Sequence, residues 1–109
     1  MDDSEFNRKV DETLQTIEEA VENCDADLDW DLASGILTID CTNSSNNTES
    51  QVIVNRQGPT RQIWVASRSG GFHFDYDPDK QQWLQGDLEL FTLLNQALSE
   101  QTGQSVQLV

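Results

Sequence analysis

Asp25-Ala26-Asp27-Leu28-Asp29-Trp30-Asp31-Leu32 alternates acid with apolar residue without a break. A period of two belongs to a strand with one face on a core and the other in water. Leu28, Trp30 and Leu32 are therefore expected inward, and Asp27, Asp29 and Asp31 outward. The stretch before it has another period. Phe6, Val10, Leu14, Ile17, Val21 and Cys24 recur at steps of three and four, which predicts an amphipathic helix over residues 4–24. Asp3 or Ser4 can cap its start, and acids early in a helix suit its dipole.

Working outward, Ser34-Gly35 turns the chain and residues 36–41 pair back, with Leu37, Ile39 and Cys41 inward. The Asn- and Ser-rich residues 42–50 read as an exposed hairpin loop. Further strands are expected over 51–57, 62–67 and 72–76, punctuated by Gly58-Pro59, Gly70-Gly71 and Asp77-Pro78-Asp79, with a short piece around Trp83-Leu84. A second helix over 88–100, capped by Asp87, should bury Leu90, Phe91, Leu94, Ala97 and Leu98. Gly103 stops it, and Val106 and Leu108 can return onto the body. The 109 residues thus read as one α+β domain, residues 1–109. The architecture expected is a two-layer α/β sandwich, two helices on one face of an antiparallel sheet of five or six strands. The other sheet face is left in water.

The net charge is −14, from 20 acids against 6 basic residues. The first 31 residues hold most of it, with only Arg8 and Lys9 opposing a dense series of acids. Carboxylates held on folded elements attract hard cations and basic protein surfaces, and repel nucleic acid and anionic membrane. The run from Asp25 is not an EF-hand: its sixth and twelfth positions are Trp30 and Ile36, where calcium loops need Gly and Glu. Alternate residues of a strand stand about 6.5–7 Å apart, too far for three neighbouring carboxylates to enclose one ion. Such a surface should hold several hard cations loosely, each by one or two side chains plus water, and the plain alternative is a solubilising face. Neither a secretory leader nor a run of about 20 apolar residues is visible, so a cytoplasmic location is expected. Cys24 and Cys41 follow no metal spacing and are expected to be small buried hydrophobes.

In Ile63-Trp64-Val65, the β-branched residues take the core side, so Trp64 points to the uncovered face, with Asn55 and Gln57 beside it by parity. That row suggests a partner-binding patch; the competing reading is a Trp shielded by Arg56, Arg61 or Arg68. Catalysis has little support. The single histidine, His73, has no carboxylate three residues before it and reads as a surface strand residue. The chain is not expected to be an enzyme.

Asn55-Arg56-Gln57-x-Pro59, Gln62-Ile63-Trp64-Val65-Ala66-Ser67, Gly70-Gly71-Phe72-His73-Phe74-Asp75 and Trp83 together resemble the frataxins, specifically the bacterial branch. The acidic first helix, the Asp-rich first strand and the closing helix agree in order, so the resemblance covers nearly the whole chain. It implies an iron-binding protein of iron–sulfur cluster assembly, acting as iron donor or as regulator of the cysteine desulfurase. Iron (Fe2+ or Fe3+) is implied to bind weakly at Asp3, Glu5, Asp11, Glu18, Glu19, Glu22, Asp25, Asp27, Asp29 and Asp31. Contact with the desulfurase and the assembly scaffold is implied at Asn55, Gln57 and Trp64. The resemblance fits a monomer that forms oligomers with iron, without nucleic acid or membrane. Departures are Asn7 where bacterial relatives often carry His, Asn23 in place of an acid, and an insertion at 43–48. The alternative is an acidic interaction module that docks on a basic enzyme surface, with metal incidental.

Overall fold

The computed structural model describes residues 1–108. In chain order it contains α1 (Asp3–Glu22), β1 (Leu28–Ala33), β2 (Ile36–Asn43), β3 (Thr48–Gln57), β4 (Gln62–Ser67), β5 (Gly70–Asp77), β6 (Gln82–Gln85), β7 (Leu88–Glu89) and α2 (Leu90–Thr102). The strands form one antiparallel sheet in sequence order, β1 through β7. Both helices lie on one face, so the expected two-layer architecture is present, with seven strands where five or six were expected.

The α1 stripe is buried as its spacing predicts, at Phe6, Val10, Leu14, Ile17 and Val21. Its cap is Asp2, where Asp3 or Ser4 was expected. Asp2 has extended backbone, and its Oδ1 accepts the Glu5 amide at 2.8 Å, the N-cap bond to the third helical residue. The helix ends at Glu22, leaving Cys24 beyond it and only partly buried.

Cross-strand partners share a sheet face, and the register Leu37–Val54–Val65, with Ile39–Val52 and Ile63–Phe74, builds the floor of the core. Phe6 meets Trp83 edge-on with centroids 6.1 Å apart, and Trp83 Nε1 donates to Thr13 Oγ1 at 3.1 Å. These contacts fix the start of α1 over β6. Leu32 pairs with Leu37 and so takes the core side, yet it is 44% exposed. Strand β1 is the sheet's edge and has nothing beyond it to cover that end, so the inward expectation for Leu32 holds in direction and fails in burial.

Residues 42–50 are not a loop. Strands β2 and β3 run on to pair Asn43 with Thr48, leaving a tight turn at 44–47. Asn43 is buried, and its Oδ1 accepts the Ser45 amide at 3.0 Å. It also lies against Gly103, where an added Cβ would come within 2.7 Å of the Asn43 amide. Gly103 itself caps α2 at φ 71°, a left-handed conformation that glycine adopts without strain.

The start of α2 also differs from expectation. Leu88 and Glu89 pair with Gln85 and Leu84 as a two-residue strand, so the helix begins at Leu90. Glu89, and not Asp87, is the cap: its carboxylate accepts the amides of Phe91 at 2.8 Å and Thr92 at 3.1 Å. Leu90, Leu93, Leu94, Ala97 and Leu98 are buried, while Phe91 stays half-exposed. Val106 and Leu108 are buried as expected, held by the Val106 amide on Ser99 Oγ and the Leu108 amide on Asn95 Oδ1. No helix among the described residues is long and apolar enough to cross a membrane.

Candidate functional site: an acidic edge and an open sheet face

Edge strand β1 divides the acids between two surfaces. Leu28, Trp30 and Leu32 pair with Cys41, Ile39 and Leu37 on the core side, so Asp29 and Asp31, opposite Asp40 and Thr38, point to the open face away from both helices. Asp27, Asp29, Asp40 and Glu49 line a wide depression of about 950 Å³ there. Asp29 Oδ1 accepts the Trp30 amide at 3.0 Å. The edge strand thus satisfies one of its own donors, and its carboxylates discourage pairing with another chain.

The remaining acids lie on α1 and just beyond it. Arg61 reaches Asp3 at 2.9 Å, and Arg56 bonds both Asp11 and Asn7. Arg8 pairs with Glu12 one turn on at 3.1 Å. These three are the ion pairs among the described residues, and none involves an acid from Glu18 to Asp31. Glu5 lines a hollow of about 430 Å³ with Arg61, Asp75 and Tyr76. Glu19 accepts only from Gln15, at 3.3 Å, and Asp25 is exposed. Glu22 Oε1 accepts Trp30 Nε1 at 2.7 Å, tying the helix flank to the core side of β1. Glu18 sits in a hollow with Asp11, Leu14, Leu32 and Arg56, and its Oε1 is buried without a hydrogen-bond partner. A buried carboxylate oxygen left unpaired is costly, and a cation would relieve it.

Oxygen donors of this kind suit hard cations such as iron, calcium or magnesium. No group of three or more His, Cys, Asp or Glu among the described residues converges into a preformed metal site.

On the open face, Asn55 pairs with Trp64 and Trp64 with His73, forming one row. Gln57 lies opposite Gln62 on the same side. Trp64 is half-buried, and among the described residues the cation–π contact present is Lys9 over Tyr76, with no arginine stacked on Trp64. Arg56 and Arg61 are engaged with α1. The His73 imidazole covers it instead, with centroids 4.1 Å apart and planes 10° from parallel.

Cys41 is buried in the core, and burial, reinforced by Asp40 and opposed by Arg68, pushes its thiol up to about 11. It is an inert core residue. Sequence reasoning missed Asp40 and Glu49, which extend the acidic surface across the sheet. Their signal was present as polar positions an odd number of residues from inward Cys41 and Val52, but only register brings them beside Asp27 and Asp29.

A frataxin-like domain matches residues 1–104. The chain is 44% identical over 110 residues to the iron-sulfur cluster assembly protein CyaY of Tolumonas auensis, covering 99% of each chain. It is likewise 44% identical to the CyaY of Pseudomonas aeruginosa, covering 98% of this chain and 96% of that one. Among solved structures, the frataxin of Psychromonas ingrahamii superposes with a TM-score of 0.83 at 33% identity, covering 100% of this chain and 99% of that one. Yeast frataxin, with a TM-score of 0.67 at 22% identity over 90% of this chain and 80% of that one, shares the fold. With its acidic edge, its open sheet face and its full-length relatives taken together, this chain belongs to the frataxin-like family, in its bacterial CyaY branch.

Proposed function

We propose that this chain, acting as one frataxin-like unit, serves iron–sulfur cluster assembly by holding iron loosely as cargo and docking on the cysteine desulfurase and its scaffold. The single observation carrying this reading is the stretch from Glu18 to Asp31. Glu18, Glu19, Glu22, Asp25, Asp27, Asp29 and Asp31 have no basic partner among the described residues, so they are available to a cation or a basic surface from outside. Asp3 and Asp11 are already matched by arginines, and Glu5 stands beside one; these three are the weaker part of the set. The chemistry asked of the protein is binding and presentation, with no reacting group of its own. A cytoplasmic place of work follows from that partnership.

The same carboxylates that attract Fe2+ also attract a basic protein face, and long-range attraction between opposed surfaces speeds encounter more than it deepens affinity. Trp64, with Asn55 and Gln57, supplies the short-range contact, as buried aromatic anchors do. Calorimetry with Fe2+ and surface binding to purified desulfurase test both halves. Glu19→Lys with Asp25→Lys, at exposed positions without tertiary partners, should weaken iron and desulfurase alike, the desulfurase chiefly through a slower association that salt masks. Trp64→Ala should weaken the desulfurase alone. Charge reversal that leaves both unchanged contradicts the proposal.

A further inference from the structure

The Trp64 indole is held in two independent ways. Its ring lies flat on His73 at 4.1 Å and 10°. In the ring plane, Trp64 Nε1 donates to Gln62 Oε1 at 2.8 Å, and Gln62 Nε2 donates in turn to Asp75 Oδ1 at 3.1 Å. His73 is itself seated, because its backbone amide donates to Gln85 Oε1 at 2.7 Å. Asp75 and His73 are two residues apart on β5 and so share the open face with Trp64. One side of the indole is therefore covered by a ring that belongs to the protein. The rest of the ring is fixed in orientation before any partner arrives.

An exposed tryptophan free to change rotamer loses that freedom on docking, and the loss subtracts from affinity. Rigid aromatic anchors avoid it, which is how matured binding surfaces use Tyr and Trp. We infer that His73 is a positioning residue for Trp64, pre-setting the indole for the docking partner through ring stacking. The inference rests on the proposed reading that the open face is the docking surface. His73 acts through Trp64 and needs no contact with the partner. Its flat aromatic ring is the property that matters, since parallel stacking needs only an aromatic plane at this distance.

The test combines the isolated protein with purified cysteine desulfurase as the probe. His73→Ala, at an exposed position outside the core, should retain the fold by circular dichroism. In NMR it should remove the ring-current shift at Trp64 and leave the indole averaging between rotamers. Desulfurase affinity should fall about two- to tenfold, the range an aromatic stack supplies. His73→Phe should restore both the ordered indole and the affinity. In a Trp64→Ala background, His73→Ala should cost nothing further, as a double-mutant cycle reads coupling. Three results overturn the inference while leaving the docking surface standing. They are full affinity in His73→Ala when Trp64→Ala is weakened, an undiminished loss in the Trp64→Ala background, and failure of His73→Phe to rescue. Full affinity in Trp64→Ala overturns the docking reading itself, and this inference with it.

Discussion

Asp29 and Asp40 stand directly opposite each other across β1 and β2, both on the open sheet face. Each has found a neutral donor: the Trp30 amide at 3.0 Å for Asp29, and Gln51 Nε2 at 2.9 Å for Asp40. Neither has a cation among the described residues. Like charges directly opposite on a sheet oppose folding, so the pair marks a place where stability yields to surface charge. Asp40→Asn keeps an acceptor for Gln51 while removing the repulsion. It should stabilise the protein by about 0.2–1 kcal/mol, the range of cross-strand pairs, read as a higher midpoint in urea. An unchanged or lower midpoint contradicts the assignment.

A related expectation concerns the helix flank. Glu19→Lys reverses a charge whose one side-chain contact is the Gln15 amide at the surface. It should raise the melting temperature, as should added salt, because each close like-charged pair on a helix costs a few tenths of a kcal/mol. Glu22→Lys should gain less, since Glu22 also accepts the Trp30 indole at 2.7 Å. Thermal melts across an ionic-strength series check the order. A wild type insensitive to salt would remove the electrostatic argument.

Cys41 makes a prediction in alkali. Burial raises its thiol from 9.0 to about 11, so between those values the unfolded chain has lost a proton that the folded chain keeps. Stability tied to this group is complete below pH 9.0 and is lost progressively as pH rises to about 11. Cys41→Val should flatten that part of the stability curve. At neutral pH iodoacetamide should modify half-buried Cys24 ahead of Cys41, and mass spectrometry of the digested protein decides it. Equal labelling of both would place Cys41 outside the core.

Much of this was legible in the sequence, because α1 and β1 carry long, unbroken periods. The three-and-four stripe from Phe6 to Val21 and the alternation through Asp29 and Trp30 each name a buried face directly. Trp64 was placed on the open side by the same parity. Features resting on a single long-range partner were not legible. No local pattern announces that Glu89 caps α2 from a two-residue strand, or that Asn43 must fit against Gly103. Nor does the sequence say that Arg56 crosses to Asp11 or that His73, from the next strand, covers Trp64. The acids of helix and strand read as one continuous ridge. Parity alone turned Asp29 and Asp31 outward, but only the register sets Asp29 against Asp40 on the open face, apart from Glu18 and Glu22 on the helix.

The central claim is that the unpaired carboxylates around β1 hold iron loosely and jointly, and an anaerobic titration of 15N-labelled protein with Fe2+ tests it most directly. Amides from Glu18 to Asp31, with Asp40 and Glu49 across the sheet, should shift or broaden together over a wide range of iron concentration. Those of Asp3 and Asp11, already paired with Arg61 and Arg56, should respond less. The effect should shrink as salt is raised through about 0.1 M, where the Debye length falls to roughly 10 Å. A single saturating site confined to one or two residues, or a spectrum untouched by iron, contradicts the account.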